Sequence, residues 1–80
     1  MSSDSPSIKV SKQLPALLDM VEEQVTHLAG SKQAITIIVW TDLRANYISN
    51  ARREDVIRAL KEMLEAWERN MPDIPAHHVN

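Results

Sequence analysis

The chain contains no cysteine among its 80 residues. Disulfides and thiolate zinc sites, which stabilise many domains of this size, are therefore excluded. Eighty residues form one domain, and a chain this short buries a smaller fraction of its surface than a longer chain does. A partner subunit is then the leading source of additional stability.

An excess of basic residues is also missing. Nine Lys and Arg stand against eleven Asp and Glu, so the formal net charge is −2. A protein that grips a phosphate backbone usually carries a clear positive excess. The charge balance therefore disfavours nucleic acid as a partner.

Long hydrophobic runs are lacking as well. The longest mainly apolar stretch, residues 34–40, is much shorter than the roughly 20 residues that a membrane-spanning helix needs. The N-terminal residues MSSDSPS lack the basic and apolar segments of a signal peptide. We expect a cytoplasmic protein without a membrane partner.

Residues 11–29 have the period of an amphipathic helix. At about 100° per residue their apolar side chains fall on one arc: Leu14, Leu17, Leu18, Val21, Val25, Leu28 and Ala29. Ser11 is the predicted N-cap, Pro15 is early enough to be tolerated, and Gly30, the only glycine, is predicted to end the helix in a left-handed conformation. The Ser-rich residues 1–9 are predicted to form a disordered leader.

The helical period is lost at residues 34–40, where β-branched residues follow one another as in a strand. Alternate residues of a strand share a face. One face would carry Ile35, Ile37 and Val39, and the other Thr36, Ile38 and Trp40. Both faces are therefore apolar. Residues 46–48 are predicted to return as a short strand, and the glycine-free segment 41–45 favours a wide loop over a two-residue turn.

A second amphipathic helix is predicted from Ser49 or Asn50 to about Asn70. Its apolar arc consists of Val56, Ile57, Leu60, Met63, Leu64 and Trp67. Its opposite arc carries Glu54, Arg58, Lys61, Glu62, Glu65, Glu68 and Arg69. Two prolines follow in residues 72–80, which are predicted to form a flexible tail.

These elements predict an α+β fold, a two-layer arrangement of helix, strand, strand and helix with an antiparallel hairpin, within a single domain over residues 10–71. A lone two-stranded ribbon is barely stable in water. If both helices cover one face, a second copy most simply covers the other, by edge pairing or by sheet stacking, to give a homodimer or a higher homo-oligomer.

The predicted interface lies on and beside the first strand. It consists of Ile35, Ile37, Ile38, Trp40 and Tyr47. For Trp40, a place in the core and a place in the interface both remain open.

The start of the second helix is a candidate anion site, because a helix N-terminus has unpaired N–H groups and a positive partial charge. The candidate ligand-binding residues are Arg44, Ser49, Asn50, Arg52 and Arg53. The rings of Trp40 and Tyr47 could stack on a base. Glu54 and Asp55 already complement the helix dipole and there is no glycine-rich loop, so plain capping is the favoured interpretation.

Catalytic and metal sites are not expected. His77 and His78 lie in the tail without a third rigid ligand, which argues against a metal. No serine stands in a nucleophile motif with a base and an orienting group. We therefore expect no cofactor and no enzymatic activity.

The segment NYISNARREDVIRALKEMLEAWE, residues 46–68, resembles the C-terminal half of small uncharacterised proteins that bacteriophages and prophages encode. The shared feature is a Tyr-Ile/Val-Ser-Asn-Ala run, here Tyr47 to Ala51, followed by a helix that begins with acidic residues. The resemblance implies a prophage accessory protein of bacterial origin and brings no catalytic residue with it.

Two functions follow from the sequence. The first is a non-enzymatic accessory protein that self-associates and binds a host or phage protein. The alternative is a small-ligand protein that holds an anion or a nucleotide at residues 49–53.

Overall fold

The structure is a computed structural model that describes residues 4–41 and 44–78. Its elements are α1 (Pro6–Ala29), β1 (Thr36–Thr41), β2 (Arg44–Ser49), α2 (Arg53–Glu68) and a 3-10 turn (Ala76–His78). The strands form one antiparallel sheet in the order β1-β2. The predicted α+β class and the order of helix, strand, strand and helix are confirmed.

Helix α1 begins five residues earlier than predicted. Ser5, and not Ser11, is the N-cap: its hydroxyl accepts a hydrogen bond from the Ile8 N–H, and Pro6 follows at the first helical position, where a missing N–H costs nothing. Residues 6–9, which were assigned to a disordered leader, thus form the first turn. Residues 1–3 of that leader lie outside the described residues.

The end of α1 agrees with the sequence prediction. Gly30 has φ 80° and donates its N–H to the Thr26 carbonyl, which is the left-handed helix ending that glycine favours. The early start changes the position of Pro15, however, since it is now the tenth residue of the helix. A proline there lacks the N–H that would bond to Ser11, so it weakens the helix interior.

The hairpin is tighter than predicted. The pairing runs from Thr36 with Ser49 to Thr41 with Arg44, so only residues 42 and 43 connect the strands. The predicted wide loop is therefore wrong, and β2 is longer than residues 46–48, because pairing of the backbone groups continues to the end of the ribbon. The two connecting residues themselves lie outside the described residues.

Helix α1 packs on one face of the hairpin. The Asn46 side chain donates to the carbonyl of Ser7 at 3.0 Å and contacts the Ser7 hydroxyl at 3.1 Å. Alternation along each strand places Ile37, Val39 and Ile48 on the same face as Asn46, and all three are half-buried. The first layer of the fold is therefore α1 and the second is the hairpin.

Helix α2 does not pack extensively on α1 or on the hairpin. Extensive contacts join the two strands and join α1 to each strand, and none of similar extent involves α2 among the described elements. The helix starts at Arg53, later than the predicted Ser49 or Asn50, because the side chains of those two residues bond elsewhere. It ends with Asn70 at φ 57° and the Met71 N–H bonded to the Ala66 carbonyl, as in a Schellman motif.

The resulting core is very small. Among the described residues Leu14, at 5% exposure, is the one buried hydrophobic side chain. The Cα radius of gyration is 15.4 Å, compared with about 12 Å for a compact domain of this length. A single copy of the chain thus leaves much of its apolar surface in water.

Candidate interaction surface

The joint between the hairpin and α2 is held by Asn50. Its N–H donates to the Ile35 carbonyl at 3.2 Å, and its Oδ1 accepts the Ile35 N–H at 2.7 Å. Its Nδ2 donates to the Gln33 carbonyl at 3.0 Å and to Glu22 Oε2 at 2.5 Å. One side chain thus connects α1, the segment before β1 and the start of α2.

Ser49 completes this joint. Its hydroxyl donates to the Ile35 carbonyl at 3.0 Å, accepts the Ala51 N–H at 3.1 Å and lies 2.9 Å from the Thr36 hydroxyl. Sequence reasoning treated Ser49 as a helix cap, because a serine forms the same kind of local hydrogen bond at a cap and at a turn. The actual N-cap residue, Arg52, makes no capping hydrogen bond through its side chain.

The second face of the hairpin is largely exposed, although Ile38 and Ser49 are half-buried. This open hairpin face consists of Thr36, Ile38, Trp40, Ala45, Tyr47 and Ser49. Trp40 is 80% exposed and Tyr47 is 55% exposed. The Tyr47 hydroxyl accepts a hydrogen bond of 3.0 Å from Arg53 Nη2, so the ring of Tyr47 is fixed against the first turn of α2.

The apolar arc of α2 is uncovered as well. This α2 stripe consists of Val56, Ile57, Leu60, Met63, Leu64 and Trp67. All but the half-buried Val56 are between 42% and 55% exposed. The sequence predicted the members of this stripe correctly, but the chain leaves five of the six exposed.

A groove lies between the open hairpin face and α2, with a volume of about 430 Å³. The residues that define it are Thr36, Ile38, Tyr47, Ala51, Val56 and Leu60. A neighbouring cavity of about 340 Å³ continues along α2 to Met63. The hairpin forms the floor of the groove and α2 forms one wall, and the lining is mainly apolar.

The structure divides the predicted interface residues into two groups. Ile38, Trp40 and Tyr47 lie together on the open hairpin face. Ile37 lies on the face that α1 covers, and Ile35 precedes β1, where its backbone bonds to residues 49 and 50. The α2 stripe is not among the predicted interface residues, since an amphipathic arc ordinarily packs within its own chain.

The five candidate ligand-binding residues do not converge. Arg44 pairs with Thr41 at the turn end of the hairpin, about 17 Å along β2 from Ser49. Arg52 lies 3.3 Å from Asp55, and Arg53 bonds to Tyr47. Ser49 and Asn50 hold the joint. The arrangement therefore gathers no cluster of free positive charge at the start of α2.

Neither a metal centre nor a membrane span is found within residues 4–41 and 44–78. No group of three or more His, Asp or Glu side chains there is placed to hold a metal ion. His77 and His78 contact each other edge to face, with ring centroids 4.2 Å apart. No helix of this part of the chain combines the length and the apolar character needed to cross a bilayer.

Comparison with known proteins gives no assignment: no family model matches this chain, and no curated protein or solved structure matches it significantly. The resemblance of residues 46–68 to phage proteins therefore stays a prediction. What the chain binds has to be inferred from the chemistry of its surface.

Proposed function

We propose that this chain is a non-enzymatic accessory protein of phage or prophage type, which acts in the bacterial cytoplasm as a homo-oligomeric protein-interaction module. The observation that carries the proposal is the exposure of the α2 stripe and the open hairpin face. Its smallest functional unit is a homodimer, to which a host or phage protein binds.

The energetic argument starts from the exposed apolar surface. Burial of a large apolar side chain contributes about 1.5–3 kcal/mol, while the whole stability of a small domain is about 5–15 kcal/mol. Seven large side chains, Trp40, Tyr47 and the five most exposed members of the α2 stripe, are each at least 42% exposed. Leaving all of them in water would forgo a contribution as large as the total stability.

Helix α2 adds a second reason for a partner. It has 16 residues, and an isolated helix of about this length is marginal in water without packing on its apolar side. Large contiguous apolar patches on soluble proteins commonly mark interaction sites. A second copy is always available to the chain, and two-fold homodimers are the commonest soluble oligomers.

The phage assignment is supported by the Tyr-Ile-Ser-Asn-Ala run alone. In this fold three residues of the run make hydrogen bonds near the start of α2. The Tyr47 hydroxyl accepts a bond from Arg53, and Ser49 and Asn50 hold the joint between the hairpin and α2. A recurring motif at this position is consistent with proteins that need α2 held at a set angle to the hairpin.

Sedimentation velocity of the untagged chain over a wide range of micromolar concentrations tests the proposal. We expect a molecular mass of two or more chains, which decreases on dilution as the oligomer dissociates. The unfolding of the chain should also be cooperative. A well-folded chain that stays strictly monomeric at every concentration would contradict the proposal.

A further inference from the structure

The groove requires an apolar occupant with a regular shape. Its floor is a sheet face, and a sheet face in a folded protein is covered by a helix or by another sheet. The groove has a helix on one side only, through Val56 and Leu60. A second helix with an apolar side would therefore fill it.

The chain's own α2 does not provide that cover in this structure, since Trp40 and Tyr47 stay 80% and 55% exposed. Only residues 50–52 connect β2 to α2. Asn50 and Ser49 hold this connection through hydrogen bonds to Glu22, Gln33 and Ile35. The chain is thus held by hydrogen bonds as far as Asn50, and in this structure α2 contributes Val56 and Leu60 to one wall of the groove.

The α2 helix of a second copy has the required dimensions. Sixteen helical residues extend about 24 Å, and strands of six residues extend about 20 Å. The α2 stripe would face the hairpin floor. The charged arc on the opposite side, from Glu54 to Glu68, would stay in water.

We infer that two copies dock reciprocally through their last helices, so that α2 of each chain lies in the groove of the other with its stripe on the partner's open hairpin face. This inference rests on the proposed function and specifies its interface. Each chain supplies both a groove and an occupant, which makes the contact self-complementary and closes it at two copies.

The available area agrees with a closed dimer. The seven exposed side chains counted above present on the order of 800 Å², taking about 200 Å² for each when fully exposed. A standard protein interface buries about 800 Å² per partner. One reciprocal contact thus accounts for the exposed apolar surface of the stripe and the open face.

Disulfide trapping tests the geometry directly, since the chain has no cysteine of its own. Ala45→Cys places a thiol on the open hairpin face, and Leu64→Cys or Trp67→Cys places one on the α2 stripe. When the hairpin variant is mixed with each stripe variant, at least one pair should form a mixed disulfide about tenfold faster than the matched pair with Glu62→Cys, because only short Cα distances permit the bond.

Each result of the trapping experiment has a separate meaning. Linking of Ala45→Cys only to itself would show hairpins stacked face to face and would overturn the inference. A dimer in which Glu62→Cys links as fast as the stripe positions would overturn it too, while leaving the proposed function in place. A strictly monomeric wild-type chain would remove both.

Matched polar substitutions on α2 provide a second measurement. Leu64 is 54% exposed in the single chain, so Leu64→Gln should raise the dimer Kd about 100-fold or more, because the lost contact occurs twice in a symmetric pair. Glu62→Gln, on the charged arc, should leave Kd within about threefold of wild type. Equal Kd values for the two variants in sedimentation equilibrium would contradict the inference.

Discussion

At the scale of single residues, a few polar side chains decide how the elements are joined. Asn50 uses both ends of its amide and its backbone N–H in four hydrogen bonds. Thr41 is the opposite case, since its buried hydroxyl has no hydrogen-bond partner among the described residues. The sequence indicated Asn50 as a candidate helix cap and ligand-binding residue, but its partners are 15 to 28 positions away, and no local pattern predicts them.

We expect Asn50→Ala to lower the free energy of unfolding by about 1–2 kcal/mol, because it leaves the Ile35 N–H and the Gln33 carbonyl without their side-chain partner. Glu22→Gln keeps an oxygen that can accept from Asn50 and should change stability by less than about 0.5 kcal/mol. Urea denaturation at one protein concentration measures both variants. Equal stability of Asn50→Ala and wild type would show that the joint is not held in this way.

Thr41→Val should stabilise the protein by about 1 kcal/mol, because it removes a buried hydroxyl that has no hydrogen-bond partner among the described residues and keeps a β-branched side chain in the strand. The matched control is Thr36→Val on the same strand. Thr36 is exposed and its hydroxyl lies 2.9 Å from that of Ser49, so this change should be neutral or slightly destabilising. If Thr41→Val destabilises the chain in the same urea series, the hydroxyl has a favourable role.

At the scale of elements, periodicity predicted each helix and strand, but it did not predict the residues at which the helices begin. Two early prolines show the difference: Pro6 opens α1, and Pro15 stands in its interior. With Ser11 as the predicted cap, Pro15 falls early in the helix and Pro6 falls in the predicted disordered leader. The real cap is Ser5, and a Ser-Pro pair has the composition of a disordered segment as well as that of a helix start.

Pro15→Ala should therefore stabilise α1, by about 1–3 kcal/mol, since it restores an interior hydrogen bond and removes the clash of the ring with the preceding turn. Pro6→Ala is the control at the first helical position, where a proline costs nothing, and it should be neutral or mildly destabilising. Thermal unfolding followed by circular dichroism compares them. A lower Tm for Pro15→Ala would mean that the proline itself is needed for packing of α1 on the hairpin.

At the scale of the whole molecule, one chain forms two layers and a projecting helix, with extents of 53 × 33 × 24 Å. The layers α1 and hairpin enclose Leu14, while α2 has no buried residue. Such a shape has a large surface for its length, which favours association because apolar area is removed from water only when copies meet.

The Tm of the wild-type chain should consequently rise with concentration, by about 3–5 °C for each tenfold increase, since association stabilises only the folded form. Leu64→Gln should weaken this dependence over the same range, because more of the variant is dissociated. Differential scanning calorimetry gives both values. A Tm that does not change with concentration would indicate a chain that is stable alone.

The sequence by itself determined the class of fold, the order of the four elements and the apolar sides of each, because these depend on local periodicity and composition. It also indicated that a two-sided apolar hairpin exceeds what two helices can cover. Only the tertiary structure decided which hairpin face α1 covers, that Ser49 and Asn50 form a joint, and that α2 stands apart with its stripe exposed. These depend on hydrogen bonds and contacts between distant residues such as Asn46 with Ser7 and Asn50 with Glu22, whose partners no spacing along the chain can reveal.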